Sequence, residues 1–171
     1  MARANKRLKY NPYVGRHDGL RASEYQVHPI SRKTAIPMIV DKHYMKRIPP
    51  ISVAFGLFKG EKLLGVITYG ISASTTLRRG VCGDKNADNV YELTRLWISD
   101  DAPFNGESFL ISQSIQRLDK EIIVTYAEIE HGHLGIVYQA SNFFYCGLSS
   151  KFSDPRAVSY THLTLPTILL V

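Results

Sequence analysis

Four titratable side chains, Glu128, Glu130, His131 and His133, lie within six residues that follow an apolar run. The run 121–129 predicts a buried strand with Glu128 near its carboxyl end, where sheets with crossover helices gather ligands and catalytic groups. Glu128 is therefore a candidate general base, or a metal ligand together with His131 or His133. The His-x-His spacing matches no strong zinc pattern, so a polar loop after a strand stays open as the alternative.

A candidate anion site lies where a strand leads into a helix, in the segment 95–108. The N-terminus of a helix exposes free N–H groups and a partial positive charge, and both attract phosphate. In the sequence "NGES", Gly106 and Ser108 offer a backbone amide and a hydroxyl, and Arg95 could add a bidentate grip. The alternative is an ordinary capped helix with Arg95 paired to Glu92 or Asp101.

A third candidate pair, His43 and Tyr44, stands at the expected end of the first helix. A histidine beside a tyrosine could transfer a proton during catalysis. The alternative is a helix end with one polar tip and one packed ring. The residues themselves do not decide between the two interpretations.

The elements that must position these side chains follow from hydrophobic periodicity and turn residues. We expect a strand at 25–30, a helix that begins at an N-cap at Ser31 and is kinked at Pro37 or begins later, and a hairpin at 51–70 that turns at Gly60. We then expect a polar loop at 71–89, a strand at 90–99, a helix capped by Asn105 or Asp100, the strand at 121–129, a short helix and a final short strand. Strict alternation along 90–99 would place Glu92 on one face and Arg95 on the other.

Composition bounds the class of protein. The 171 residues suggest one domain, assigned to 25–157, and the formal net charge is +6. The segment 1–24 is a basic arm, which suits nucleic acid or serves as a solvated tail. No stretch approaches the ~20 apolar residues of a membrane helix, and no signal peptide is evident, so we expect a cytoplasmic protein without a membrane partner. Two distant cysteines, Cys82 and Cys146, are expected to be free thiols.

The last fourteen residues, "VSYTHLTLPTILLV", are expected not to belong to the native protein. The string resembles the translated read-through of a transposase-type sequencing adapter, and such segments are excluded from fold reasoning. The segment 158–171 is therefore assigned to read-through. The alternative is an apolar final strand, which its Leu/Thr alternation also permits.

Several segments in order resemble the Mom family of phage DNA-modification proteins: "KHYMKR", "FGLFKGEKLLGVITYG", "GVCG", "VYELTRLWISDDAPFNGESFLIS" and "TYAEIEHGHLGIVYQASNFFYCG". The resemblance implies an α/β (α+β) fold like that of the GNAT acyltransferases, with a mixed, bent sheet flanked by helices. It implies transfer of a methylcarbamoyl-type group to the adenine exocyclic amine of double-stranded DNA, which protects phage DNA from restriction. It also implies the host cytoplasm as location, an acyl donor such as acyl-CoA, and iron or another divalent metal.

The resemblance also implies functional positions where the motifs match. These are His43, Tyr44, Tyr69, Arg95, Ser108 and Tyr138. Glu128 stands where the family has Asp, one methylene further from the backbone. The glycine-rich pyrophosphate loop of the wider fold is absent, and "SDDAPFNGES" stands in its place.

The chemistry of these residues fits such a transfer. Arg95 with Ser108 would hold donor phosphates or an oxyanion, and Glu128 or His43 would take the proton of the amine. Tyr44, Tyr69 and Tyr138 would stack on an extruded base. Arg7 and Lys9 of the arm would bind the phosphate backbone of the DNA. The competing interpretations are an ordinary N-acetyltransferase acting on a small amine or protein, and a noncatalytic DNA-binding protein.

Overall fold

One seven-stranded sheet carries the fold, in the strand order β1-β2-β3-β4-β5-β7-β6. The computed structural model describes residues 22–43, 46–128, 135–146 and 164–170, the last range and Glu128 by their backbone alone. The strands are β1 (Gln26–Pro29), β2 (Val53–Lys59), β3 (Lys62–Gly70), β4 (Val90–Ile98), β5 (Ile122–Glu128), β6 (Phe144–Tyr145) and β7 (Thr164–Leu170). The helices are α1 (Arg32–Lys42), α2 (Thr75–Cys82), α3 (Gly106–Ile115) and α4 (Ile136–Gln139).

The hairpin β2–β3 confirms the turn predicted at Gly60. Lys59 pairs with Lys62, so the loop has two residues, and Gly60 adopts a φ of 57°, which a residue without a Cβ reaches at little cost. Strand β1 adds to the outer edge of the hairpin as an antiparallel neighbour of β2.

Two layers of helices cover the sheet. Helix α1 packs on one face through Ala35 and Ile39 against Ala54 and Val66. On the other face, α3 and α4 enclose the larger core, whose fully buried members include Leu57, Ile67, Tyr69, Leu110 and Ile111. We call these the α1 face and the α3 face.

Helix α1 begins as predicted at Ser31, whose hydroxyl oxygen accepts a hydrogen bond from Thr34 N at 3.1 Å. The exposed Pro37 lies inside the helix and does not end it. Helix α1 ends at Lys42, where the His43 N–H donates to the Ile39 carbonyl at 3.2 Å.

The prediction of a polar loop at 71–89 is wrong. Helix α2 and a 3-10 helix at Asp84–Asn89 occupy most of it. Ser74 caps α2 by accepting from Leu77 N at 3.1 Å, and ion pairs join Arg79 to Asp84 and Arg78 to Asp88. Local capping and ion pairs stabilise the two helices of the segment 71–89. The segment has too few apolar residues for hydrophobic periodicity to predict these helices.

Strand β7 lies between β5 and β6 and pairs antiparallel with both. It falls within the segment 158–171 that the sequence assigns to read-through. Backbone pairing accepts any sequence of sufficient β propensity, so the origin of this segment stays a prediction that its nucleotide sequence decides. The short helix α4 and the short strand β6 appear where they were expected.

Candidate functional site

The described part of the sheet contains one parallel pair, β4 with β5, and this pair opens into a fork. Only Val90, Tyr91 and Glu92 pair with β5, opposite Ile122, Ile123 and Val124. Beyond Glu92 the two strands continue without pairing to each other in the described register. We call the unpaired carboxyl ends of these two strands the fork, which is where a ligand site beside a crossover helix is expected.

A β-bulge lies directly at the mouth of this fork. Thr68 of β3 pairs with Arg95, while the next residue, Tyr69, pairs with Leu93, so Thr94 is the extra residue of β4. A bulge sharpens the local twist and re-aims the side chains that follow it. The buried hydroxyls of Thr94 and Thr68 hydrogen-bond at 2.9 Å and fix the bulge to its neighbour.

The bulge brings Glu92 and Arg95 to the same face of the sheet. Residues three apart on a regular strand point to opposite faces, and strict alternation was our expectation. Because of the extra residue, Glu92 pairs with Gly70 and Arg95 with Thr68, and those two β3 residues share a face. The predicted alternation along β4 is therefore wrong after Leu93: Leu96 and Ile98 pack on the α3 face, and Trp97 packs on the α1 face.

Glu92 is a half-buried carboxyl held by two groups. Burial raises its pKa above the ordinary value, while a hydrogen bond with the Ser72 side chain and the positive charge of Arg95 oppose the rise. Ser72 itself is buried. The predicted alternative partner of Arg95, Asp101, instead contacts the Lys62 ammonium at 2.8 Å, and the nearby cation lowers the pKa of Asp101.

The guanidinium of Arg95 lies within electrostatic range of groups on both sides of the fork. Its Nη1 donates to the Thr94 carbonyl at 2.5 Å. Burial raises the pKa of Tyr138, and a hydrogen bond with Thr125 and the charge of Arg95 oppose that rise. Thr125 in turn donates to the Leu93 carbonyl at 3.4 Å across the fork. The charge of Arg95 thus lowers the pKa of both the Glu92 carboxyl on β4 and the Tyr138 phenol on α4.

The two predicted tyrosines of the α3 face differ in their surroundings. Tyr138 is half-buried, with its ring 5.5 Å from that of Phe143. Tyr69 is fully buried, and its hydroxyl lies 2.6 Å from that of Ser114, which donates to the Ile111 carbonyl. Burial raises the pKa of Tyr69 far above its usual range. In this conformation neither face of the Tyr69 ring is accessible to a nucleobase. The side chain instead packs between β3 and α3 and joins them through its hydroxyl.

A further tyrosine, Tyr126 on β5, faces the carboxyl of Glu92. Burial and the charge of Glu92 raise the pKa of Tyr126 to about 12, so its phenol keeps its proton at neutral pH and can donate a hydrogen bond. The sequence named Glu92 only as a possible partner of Arg95, and it did not point to Thr125 and Tyr126 of β5. The shared face of Glu92 and Arg95 depends on the bulge, which periodicity cannot reveal because one extra residue leaves the composition of a strand unchanged.

The start of α3 is formed by Asn105 and Gly106, as predicted, but not by a side-chain cap. Asn105 adopts a left-handed φ of 66° and accepts from Phe109 N through its carbonyl at 3.0 Å. Ser108 donates to that same carbonyl at 3.1 Å. Gly106 is buried, and a Cβ there would meet its neighbours at ordinary contact distances of 3.6 Å.

The other predicted site residues are His43, Glu128 and a group that lies outside the described residues. His43 is buried at the end of α1. Glu128 ends β5, as predicted, and only its backbone is described. Tyr44, His131, His133, Arg7 and Lys9 lie outside the described residues. Among the residues that are described, no group of three potential metal ligands occurs.

Two further predictions concern the chain as a whole. Cys82 and Cys146 are free, as expected. In the described part of the chain, no helix is both long and apolar enough to cross a membrane.

The fold and the forked strand pair define the class of the protein, that of the GNAT acetyltransferase fold. A spermidine N-acetyltransferase from Vibrio cholerae superimposes with a TM-score of 0.58 at 12% identity, over 86% of this chain and 96% of that chain. NAA60 of Arabidopsis thaliana superimposes with a TM-score of 0.62 at 10% identity, over 86% and 98% of the two chains. At such identities the likeness establishes the fold alone.

Sequence comparison establishes the family. The model of the Mom protein family matches residues 24–166. Methylcarbamoylase Mom of Escherichia phage Mu is 32% identical over 163 residues, which covers 91% of this chain and 68% of that protein. The chain belongs to the Mom protein family.

Proposed function

We propose that this protein is a DNA-modifying transferase that adds a methylcarbamoyl-type group to the exocyclic amine of adenine and so protects phage DNA from restriction. The observation that carries the proposal is the 32% identity with a methylcarbamoylase over 91% of the chain. The formal net charge of +6 agrees with a polyanionic substrate. A double-stranded DNA substrate and a host-cytoplasmic location for a phage-encoded protein belong to the same proposal.

The chemistry requires an activated carbonyl and a proton acceptor. The adenine amine is a weak nucleophile because its lone pair is delocalised into the ring, so its proton must leave as the new N–C bond forms. The donor's leaving group departs from the same carbonyl carbon. Glu128, at the carboxyl end of β5, and His43, at the end of α1, are the proposed acceptors.

The fork fits the extended arm of an acyl-CoA type of donor. Beyond Glu92 and Val124, the facing backbones of β4 and β5 are not paired with each other in the described register. An arm that contains amides can hydrogen-bond to such open strand edges. A bound donor of this class would supply the activated carbonyl.

The start of α3 fits the diphosphate of such a donor less well. Asp100 and Asp101 precede it, and Gly106 has ordinary space for a Cβ. We therefore assign Ser108 and the amides of this helix start to an anionic group of the donor in general.

Arg95 has the central part in this proposal. Its guanidinium lies at the mouth of the fork, where it can stabilise the negative charge that develops on the carbonyl oxygen. Glu92 positions that guanidinium from the α1 face, and Tyr138 with Thr125 bounds it on the other side. Tyr69 and Ser114 support this arrangement from beneath.

Mass analysis of nucleosides tests the proposal. DNA is isolated from cells that express the protein and is digested to nucleosides, with DNA from cells carrying the empty vector as control. A new modified adenosine with the mass of a methylcarbamoyl-type adduct is expected. Unaltered DNA together with acetylated polyamines or proteins would support an ordinary N-acetyltransferase instead. Unaltered DNA that the protein binds tightly would support a noncatalytic DNA-binding protein.

A further inference from the structure

Two large apolar side chains, Ile48 and Ile71, are exposed on adjoining segments of the chain. Each keeps 54% of its surface accessible. A Cβ on Gly70 would lie 2.2 Å from the Pro50 carbonyl oxygen, so the segment before β2 runs directly against the end of β3. Ser52 N also donates to the Tyr69 carbonyl at 2.7 Å. Because two residues span at most ~7 Å, Ile48 cannot lie far from Ile71.

Cations lie on the same segment as Ile48. Lys46 and Arg47 are exposed, and Lys46 adopts a φ of 44° in a turn that its N–H closes onto the His43 carbonyl at 3.1 Å. A non-glycine residue rarely adopts such a φ, and it is kept only where the surrounding structure requires it. The turn sets the two cations immediately before an exposed isoleucine. We call Lys46, Arg47, Ile48 and Ile71 the wedge patch.

The wedge patch adjoins the fork. Ile71 is followed by Ser72, whose side chain hydrogen-bonds to Glu92. Glu92 belongs to the last paired position between β4 and β5. Ser72 therefore links the exposed Ile71 to Glu92, the carboxyl that lies beside the proposed catalytic Arg95.

We propose that the wedge patch binds duplex DNA and inserts its isoleucines into the base stack, so that the target adenine leaves the helix and enters the fork. This inference rests on the proposed function, because an enzyme that modifies an adenine amine inside a duplex must first extrude the base. Apolar wedges, isoleucine among them, unstack base steps in other DNA-binding proteins, and neighbouring Lys and Arg side chains bind phosphates. The combination of exposed isoleucines with adjacent cations matches both requirements.

The first test compares two DNA substrates. The double variant Ile48→Ala/Ile71→Ala is assayed for adenine modification on an ordinary duplex and on the same duplex with the target adenine bulged out. We expect a loss of about tenfold or more on the ordinary duplex, because the cost of unstacking is no longer offset. Modification of the bulged adenine should stay within about twofold of the wild type, since that base is already outside the stack.

Ile136→Ala provides the matched control. Among the described residues, Ile136 is the most exposed large apolar side chain, at 63%, and it lies on α4 rather than near the turn. Its replacement should leave both substrates unaffected. Equal losses of the double variant on the two DNAs, no loss on either, or the same selective loss in Ile136→Ala would overturn the inference.

A second measurement does not depend on group transfer. A duplex with 2-aminopurine in place of the target adenine becomes more fluorescent when that base leaves the stack. Wild-type protein is expected to raise the fluorescence at saturating protein, and the double variant is not. If the wild type modifies no adenine but raises the 2-aminopurine fluorescence, the proposed function is wrong while base extrusion by the wedge patch is supported. If the wild type modifies adenine and the double variant raises the fluorescence equally, the wedge fails and the function stands.

Discussion

At the scale of single residues, the feature with the largest consequence is the carboxyl of Glu92 beside Arg95. Burial raises the pKa of Glu92 above its ordinary value of 4.5, so the native state binds this proton more tightly than the unfolded chain does. The stability from this group is therefore fully present below about pH 4.5 and is lost as the pH rises through the native pKa. At neutral pH the ionised carboxyl destabilises the fold, and a role in positioning Arg95 would explain why it is there.

The substitution Glu92→Gln separates these two effects. It keeps the shape and the hydrogen bond to Ser72 but removes the charge, so the melting temperature at neutral pH should stay equal or rise. Adenine modification should fall by about tenfold or more because the guanidinium loses its partner. Thermal unfolding at pH 4.5 and pH 7, together with the modification assay, provides the measurement.

Two variants control this prediction. Glu24→Gln removes an exposed carboxyl paired with Lys59 at 3.2 Å and should change neither quantity. Glu92→Asp keeps the charge and should retain more activity than Glu92→Gln. Unchanged activity in Glu92→Gln would contradict the proposed role of Glu92.

At the scale of elements, the sequence predicted the strands that carry the site, but it did not predict the β-bulge that sets the orientation of the side chains in the site. Continuous apolar runs predicted β2, β3 and β5, the Gly60 turn joined the first two, and alternation predicted β4, because burial of one or both faces imposes those patterns. The bulge at Thr94 was missed, and with it the shared face of Glu92 and Arg95. The resemblance to a known family pointed to Arg95, Tyr69 and Tyr138, which lie on three different elements, β4, β3 and α4.

Helix α2 was missed because capping and ion pairs rather than an apolar stripe hold it, and two glycines around it test this explanation. Gly80 lies inside the helix without a positive φ, and a Cβ added there would meet nothing within 4 Å. Gly80→Ala should therefore stabilise the protein by roughly 0.5–1 kcal/mol. Gly83 has equal space but a φ of 77°, so Gly83→Ala should destabilise it. Urea unfolding of both variants measures the two changes in the free energy of unfolding. If both variants are stabilised, or neither is, then the backbone conformation of the glycine does not determine the effect of the substitution.

At the scale of the whole molecule, the same sheet positions two proposed binding surfaces, the fork and the wedge patch. The fork between β4 and β5 would hold the donor, and the wedge patch beside Glu92 would present the base. Sequence patterns could not predict this proximity, because it depends on how the segment before β2 packs against Gly70. The C-terminal segment 158–171 is a separate matter, since it contains the paired strand β7 and is also predicted to be read-through.

The measurement that tests the central claim most directly is nucleoside mass analysis of DNA from cells that express wild type, Arg95→Ala, Ser108→Ala or Arg117→Ala. Arg117 is an exposed arginine that hydrogen-bonds to the nearby Gln113, and it serves as the control. We expect the modified adenosine with wild type and Arg117→Ala, and its loss with Arg95→Ala and with Ser108→Ala while each protein still unfolds cooperatively. Undiminished modification by folded Arg95→Ala and Ser108→Ala would contradict the claim that catalysis takes place at the fork.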